Sequence, residues 1–479
     1  MSPPPQTSPP SSSRPFILIV SHTLSGHIVP MLRIASSLHS RGWHTFFLGP
    51  SAHRARIAAS GATFLPLLPA ADLDDRAYYA AEPEPGYAAR HWGERVLVDL
   101  RLQCLEPLPA QWASFVDALE TLHALDPSGS RGVVVLAEAF FHGVLPLFLG
   151  APLPPGIPPP RASLCVSVTV PAVRSADLPP AGYPLPFDPS PAGRALNAKL
   201  WASWGRRSAG LAGLLDAQVR EAGAVRGVGL PFLSGVNYLV HPVILQLGVP
   251  GLEYPRSDWP PGFRFAGLVQ GVGMVKEPAF AWWSELVANS ALAREDPRRK
   301  GVVVVAQGTV ETNPRDLIIP TIQAFADRED VLVVGILGWK DARLSDFIAI
   351  PGNARVADYL SYDAVLEHAD VWVHNAGFGA VNHGIANGVP MVVAGEGMDK
   401  TENSRRVAWS GIGVDLGCAT PSPEQVREGV ERVLQDPSFT KRVKELKAES
   451  EAIDCFGMVH EELLRLLDTT STLEQHQAE

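Results

Sequence analysis

Short runs of consecutive apolar residues recur along this chain, each leaving into a polar, glycine-bearing turn and then a segment with apolar positions three and four apart. Phe16-Ile-Leu-Ile-Val20 is the first. It empties into Ser21-His-Thr-Leu-Ser-Gly26, after which Ile28, Leu32, Ala35 and Leu38 return at helical spacing. Gly42 marks a stop, and Thr45-Phe-Phe-Leu48 reads as the next strand. Wholly apolar strands alternating with helices predict a parallel, doubly wound α/β sheet, because a strand covered on both faces has no polar side. Gly132-Val-Val-Val-Leu-Ala137 is a further buried strand, and the proline-dense stretch from Pro152 to Pro189 predicts long irregular loops.

The pattern then restarts. A charged stretch, Ala291 to Lys300, ends at Gly301-Val-Val-Val-Val-Ala306, followed by the loop Gln307 to Asn313, a helix with Pro314 in its first turn, and the strand Val331 to Leu337. Ala369 to Asn375, Val389 to Val393 and Val414 to Leu416 supply more strands. The expected organisation is a disordered Pro/Ser tail at 1–14, a first domain at 15–265, a linker at 266–299, a second domain at 300–450 and a closing helical segment at 451–479. Ligands of such sheets sit beyond the carboxyl ends of the strands, which singles out loops 21–26, 138–143, 307–313, 375–380 and 394–400.

Composition narrows the function classes. With 46% apolar and 19% charged residues in 479, the chain can bury large cores, and 40 basic against 50 acidic side chains (net −10) argue against a nucleic-acid-binding face. The four cysteines (Cys104, Cys165, Cys418, Cys455) form no CxxC pair, so neither a disulfide framework nor a zinc site is indicated, and no metal is expected. The tail lacks the order of a signal peptide. The nearest candidate span, Val133 to Leu149, is broken by Glu138, His142 and Pro146, so the expectation is a soluble, cytoplasmic protein without an integral membrane span, a monomer or weak dimer.

Two residues at strand ends could do acid–base work. His27, after Gly26, stands where a helix N-terminus disfavours the imidazolium, which predicts a neutral ring able to take a proton. Glu138 follows a wholly apolar strand; it is either solvated past the strand end or paired, and the partner read for it is His27. The turn Asn375-Ala-Gly-Phe-Gly-Ala380 can present free backbone N–H groups to a diphosphate. GxGxxG opening a βαβ unit, GxxxxGK[ST] and HExxH are all absent, which argues against nicotinamide, P-loop and zincin chemistry.

Taken together, Ala357 to Leu366, Val373-His-Asn-Ala-Gly-Phe-Gly379, Asn387-Gly-Val-Pro-Met391, Gly395 to Lys400 and Arg406 to Gly413 resemble the nucleotide-sugar-binding signature of UDP-glycosyltransferases, most closely the fungal and bacterial branch. Val303 to Thr309, Gly26-His-Ile-Val-Pro30 and Gly248 to Pro255 extend the likeness over most of residues 15 to 470. The resemblance implies a GT-B-like fold of two facing Rossmann-type domains with an interdomain cleft, and a final segment that crosses back to the first domain. It implies an inverting transfer of a hexose, glucose first, from a UDP-sugar to a hydroxyl of a small apolar or aromatic acceptor, with no metal or other cofactor.

In this resemblance His27 matches the general base, and Glu138 stands where the family has an orienting aspartate. Gly26, Gln307, Thr309, Tyr359, Leu360, Tyr362, His374, Asn375, Gly377, Phe378, Gly379, Ala380, Asn382, His383, Asp399 and Lys400 fall on the UDP-sugar site. Among them, Tyr359 replaces a base-stacking tryptophan, Asn375 a phosphate-binding histidine, His383 a ribose-binding glutamate, and Lys400 a glutamine. Tyr78, Tyr79, Trp92, Phe140 and Phe141 are the candidate acceptor-pocket aromatics. A UDP-sugar epimerase of the same fold, or a catalytically silent UDP-sugar-binding protein, would share this plan. Turnover of UDP-sugar without acceptor, or UDP binding without donor consumption, would tell them apart.

Overall fold

The computed structural model describes residues 14–478 except Pro184, 270–277 and 309–310, with the side chains of Ala80, Ala88 and 469–478 also outside the description. Most of the 1–14 tail and Thr309 lie outside the described residues. Two parallel sheets organise the chain. The first holds β1 (Phe16–Val20), β2 (Thr45–Gly49), β3 (Thr63–Pro66), β4 (Val133–Glu138), β5 (Ala162–Ser167), β6 (Ile244–Gln246) and β7 (Phe263–Phe265) in the order β3-β2-β1-β4-β5-β6-β7. The second holds β8 (Gly301–Ala306), β9 (Val331–Ile336), β10 (Ala354–Ala357), β11 (Val371–His374), β12 (Met391–Val393) and β13 (Gly413–Asp415) in the order β10-β9-β8-β11-β12-β13.

Register follows from the apolar runs: Phe16 to Val20 pairs residue for residue with Val133 to Ala137, and Gly301 to Ala306 with Val331 to Ile336. Since both faces of each sheet are covered, these strands are buried along their length, as wholly apolar runs must be. Helix α1 (Ser25–Ser40) follows β1 and buries Ile28, Met31, Leu32, Ala35 and Leu38 against the first sheet. Helix α2 (Trp92–Asp99) continues directly into a π-helix, Leu100–Leu105.

Three sequence expectations are corrected here. The proline-rich 152–189 stretch contains β5, a central strand whose Leu164, Cys165 and Val166 are fully buried. Helix α3 (Trp283–Ser290), inside the expected linker, packs Trp283 and Leu286 into the core of the second sheet, so that core recruits residues before 300. Helix α4 starts only at Ile318 (Ile318–Ala324), with Pro314 in the preceding turn, where its carbonyl accepts the Ile319 N–H. Beyond β11 come α5 (Phe378–Asn387) and α6 (Lys400–Trp409). The closing helix α7 (Cys455–Ala478) sets Cys455, Val459 and Leu463 into the first domain's core, and Trp43 Nε1 donates to His460 Nδ1 at 2.9 Å. Among the described residues no helix is long and apolar enough to cross a membrane.

Candidate active site

Each sheet reverses its strand order once at its centre, between β1 and β4 and between β8 and β11, and such reversals open a crevice at the strands' carboxyl ends. His27 stands in the first turn of α1, just beyond β1, and Glu138 is the last residue of β4. His27 Nδ1 lies 2.9 Å from Glu138 Oε1, close but off the line of a well-aligned hydrogen bond. Glu138 is buried and not stranded: Oε2 accepts the His22 backbone N–H and Oε1 that of Phe140, each at 3.2 Å.

Burial alone would pull the His27 imidazolium down. The adjacent Glu138 carboxylate, with Asp399 across the cleft, outweighs it and holds the group above its ordinary value. A carboxylate in contact thus outweighs the partial charge of a helix end, which by itself disfavours the imidazolium. A second imidazole, His22, escaped the sequence reading although it sits in the same loop. Its ring centroid is 5.1 Å from that of His27. His22 Nδ1 accepts the Leu24 N–H at 3.2 Å, so Nε2 carries the proton, and burial followed by the charges of His27 and His142 keeps it neutral.

His22 and His27 open onto a cavity of about 720 Å³, its mouth included, walled by Phe140 and Val170 from the strand ends and by Val96, Leu100 and Cys104 from α2 and the π-helix. The second domain closes it with Met398, Asp399 and Glu402. Of the candidate acceptor aromatics, Phe140 lines this space. Phe141, one residue on, is 1% exposed in the core under the sheet, and Trp92 packs beside His91 away from the wall. Tyr78 and Tyr79 stand behind the wall: Tyr78 Oη donates to Asp99 at 2.9 Å, and Gln103 Nε2 donates to Tyr79 Oη at 3.0 Å.

In the second sheet, Gln307 spends its amide locally, donating to the Asn313 carbonyl at 2.9 Å and accepting the Ile318 N–H at 3.1 Å. Asn375 Nδ2 donates to the Gln307 carbonyl at 2.5 Å and to Glu311 Oε2 at 3.2 Å, so neither amide hydrogen is free for a phosphate as the sequence suggested. His374 belongs to the core: its ring stacks on Trp372, Nδ1 accepts the Ala376 N–H at 3.1 Å, and burial takes its pKa down to about 3. Ala376, at φ +60°, turns the chain into α5.

Gly377 is the N-cap of α5 and provides no side-chain cap; a Cβ built on Gly379, an exposed first-turn residue, would meet nothing within 4 Å. The first-turn N–H groups of this ten-residue helix therefore face accessible space, the arrangement that suits an anion. Phe378 is buried beneath this turn, and the carbonyl of half-buried Ala380 accepts Trp372 Nε1–H at 3.1 Å. A turn further on are Asn382, whose buried Oδ1 lacks a partner among the described residues, and His383, whose Nδ1 is 2.6 Å from Asp363 Oδ1. Burial pushes the Asp363 carboxyl up, but His383, Asn387 and Arg33 outweigh it and hold it at about 2.

Tyr359 is 57% exposed above buried Leu360, whereas Tyr362 is wedged between the rings of Trp372 (5.0 Å) and His383 (5.5 Å). Asp399 precedes α6 and faces the cavity; Lys400 is buried and ion-paired with Glu311. Gly26 adds no side chain beside His27, and a Cβ there would also meet nothing within 4 Å. Among the described residues no group of three or more His, Cys, Asp or Glu is placed to hold a metal ion.

Residues 325–466 match the family model described as erythromycin biosynthesis protein CIII-like, C-terminal domain. The chain is 36% identical to UDP-glucosyltransferase 1 of Beauveria bassiana, over 94% of this chain and 95% of that one. It is 34% identical to UDP-glycosyltransferase 2 of Phaeomoniella chlamydospora, with the same coverage. In three dimensions it shares its fold with the glycotransferase of kitacinnamycin (TM-score 0.65, 21% identity, 95% of this chain and 99% of that one). The chain belongs to the UDP-glycosyltransferase family: it is a glycosyltransferase built on the GT-B plan of two facing Rossmann-like domains.

Proposed function

We propose that this enzyme moves glucose from UDP-glucose to a hydroxyl of a small apolar or aromatic acceptor, with inversion at the anomeric carbon and His27 as the general base. The observation that carries the reading is His27 on the wall of a largely apolar cavity, backed by buried Glu138 and faced by Asp399 from the other domain. Nδ1 faces Glu138 at 2.9 Å, which leaves Nε2 as the nitrogen that takes the acceptor proton. Glu138 orients the ring and stabilises the imidazolium as it forms, a role its two backbone donors hold it in place to perform.

The hydroxyl oxygen attacks the anomeric carbon as the bond to the diphosphate oxygen breaks, and the proton goes to His27. Charge grows on the departing diphosphate, and the uncapped first turn of α5, with the open backbone at Gly379, offers N–H donors to it. This scheme uses no metal. Tyr359, exposed on the second domain, supplies a face for the uracil, and Asp399 a carboxylate for sugar hydroxyls. Relatives named UDP-glucosyltransferases support glucose as the sugar.

Incubating the full chain with a panel of UDP-sugars and hydroxylated aromatics, followed by mass spectrometry, tests transfer, and the anomeric proton coupling of the product tests inversion. A glucoside with β configuration from the α-linked donor is the expected result. UDP-glucose consumed without any acceptor adduct would instead indicate epimerase or hydrolase chemistry.

A further inference from the structure

The cavity wall opposite the strand ends is built by an unusual element. The π-helix Leu100–Leu105 follows α2 without a break, and Asp99 at the end of α2 lines the cavity together with Leu100, Gln103 and Cys104 of the π-helix. Gln103 gives its amide to Tyr79 Oη, and Leu100 and Cys104 are ordinary lining for an apolar ligand. Asp99 is not. It is 4% exposed and lines a wall whose neighbours include Val96, Leu100 and Leu233, where a carboxylate needs hydrogen-bond donors.

The protein supplies some of them. Tyr78 Oη donates to Asp99 Oδ1 at 2.9 Å, and Tyr87 Oη lies 2.9 Å from Oδ1 and 2.8 Å from Oδ2. Burial pushes both phenols up, so they remain protonated donors. Two hydroxyl hydrogens fill about two of the roughly four acceptor positions of a carboxylate. Arg95, whose charge reaches Asp99, lies over the Tyr87 ring, 6.0 Å from its centroid. The other carboxylates lining the cavity are Asp399, beside Lys400, and Glu402, which pairs with Arg406, while no lysine or arginine is among its described lining residues. Burial pushes the Asp99 carboxyl up, opposed by the two phenol hydrogen bonds and the Arg95 charge. His27 is the one basic side chain near a charge change among the described lining residues; the Asp99 side of the wall therefore offers spare acceptor capacity and no lysine or arginine to meet an anion.

Building on the transferase reading, we propose that Asp99 is a specificity-determining residue that receives a second hydrogen-bond donor of the acceptor, away from the hydroxyl presented to His27. The acceptor class that fits is an apolar molecule with a further hydroxyl or a protonated amine. A carboxylate at that position meets Asp99 as a like charge.

The probes are four biphenyl phenols that differ only at the far para position: hydroxyl, aminomethyl, methoxyl or carboxylate. With UDP-glucose and the unaltered full chain, kcat/KM for the hydroxyl or aminomethyl compound exceeds that for the methoxyl compound by about tenfold or more, and the carboxylate compound falls below it. If the hydroxyl arm alone rises, Asp99 reads a neutral donor; if the amine arm rises further, it reads charge. In Asp99→Asn, which keeps an oxygen for the tyrosines, the ratio of the amine to the carboxylate arm collapses to within about threefold. Equal kcat/KM across all four arms, or an unchanged ratio in folded Asp99→Asn, overturns the proposal while leaving the transferase reading standing. Absence of glucoside from every arm, with UDP-glucose bound, overturns that reading and this one with it.

Discussion

The Arg406 guanidinium lies 2.8 Å from the Glu253 carboxylate with both side chains out of solvent, and the pair ties the end of the first domain to helix α6 of the second. Arg406 also holds Glu402 at 3.0 Å and lies over the Tyr254 ring at 4.8 Å. Because α6 begins beside Asp399, this joint bears on how the second domain meets the cavity. Arg406→Met leaves two carboxylates without their cation, and breaking a buried pair in this way costs about 3–5 kcal/mol. Urea unfolding of the variant is expected to show a clearly lower midpoint, partly restored by adding Glu253→Leu. An unchanged midpoint would remove the pair from the domain joint.

Much of the architecture was legible because it rests on signals that survive in one dimension. Phe16–Val20 and Gly301–Ala306 are apolar throughout because helices cover both faces of each sheet, and the strand-loop-helix order places His27 at a carboxyl end. What escaped depends on contacts distant in sequence or on backbone geometry. Prolines on both sides masked β5, whose six residues carry no periodicity to tell strand from loop. Asp99, Gln103 and Cys104 share a helical face with Val96 and Leu100, but nothing in that spacing tells a cavity-facing stripe from a core-facing one. Phe140 and Phe141 look alike in sequence, but the turn after β4 sends one to the cavity and the other to the core. Asn375 looked available to phosphate until Gln307 and Glu311 were seen to hold its amide.

The raised His27 pKa sets the acid limb of the reaction. A base must be neutral to accept a proton, so kcat/KM is expected to fall as pH drops through a value above the ordinary 6.5. Glu138→Gln removes the charge that raises the group, so the inflection moves down and kcat falls by about tenfold or more, whereas Glu138→Asp retains the charge and most of the rate. The same linkage fixes a stability signature. The folded pKa lies above the unfolded one, so the stabilisation is complete below the unfolded value and is lost as pH rises through the folded value. His27→Ala is expected to lose about 10²–10⁴ in turnover with UDP affinity nearly unchanged. Loss of UDP binding would make its role structural.

Glu311 stands between two groups that the donor site would use, ion-paired with Lys400 and accepting the Asn375 amide at 3.2 Å. Its carboxylate thus competes for both groups with any anion that would approach them. Glu311→Ala frees Lys400 and one amide hydrogen of Asn375, the other staying on the Gln307 carbonyl, and the expected outcome is a severalfold lower Kd for UDP by calorimetric titration, steeper at low salt because the gain is electrostatic. Weaker binding in the variant would show that Glu311 holds the loop in its working position.

Helix α7 reaches the first domain although it follows the second in sequence, and Leu463, fully buried, sits with Ile28, Met31 and Val459 in one core cluster. That core includes the apolar face of α1, the helix that carries His27 in its first turn. Leu463→Ala removes three carbons from a packed site, and such cavities cost about 2–5 kcal/mol. The lost packing lies at the back of α1, away from the cavity, so the effect is expected first in stability: a lower thermal midpoint, with kcat at low temperature within about threefold of the parent. If kcat drops by orders of magnitude while the midpoint holds, then α7 sets the position of His27 and contributes to catalysis through α1.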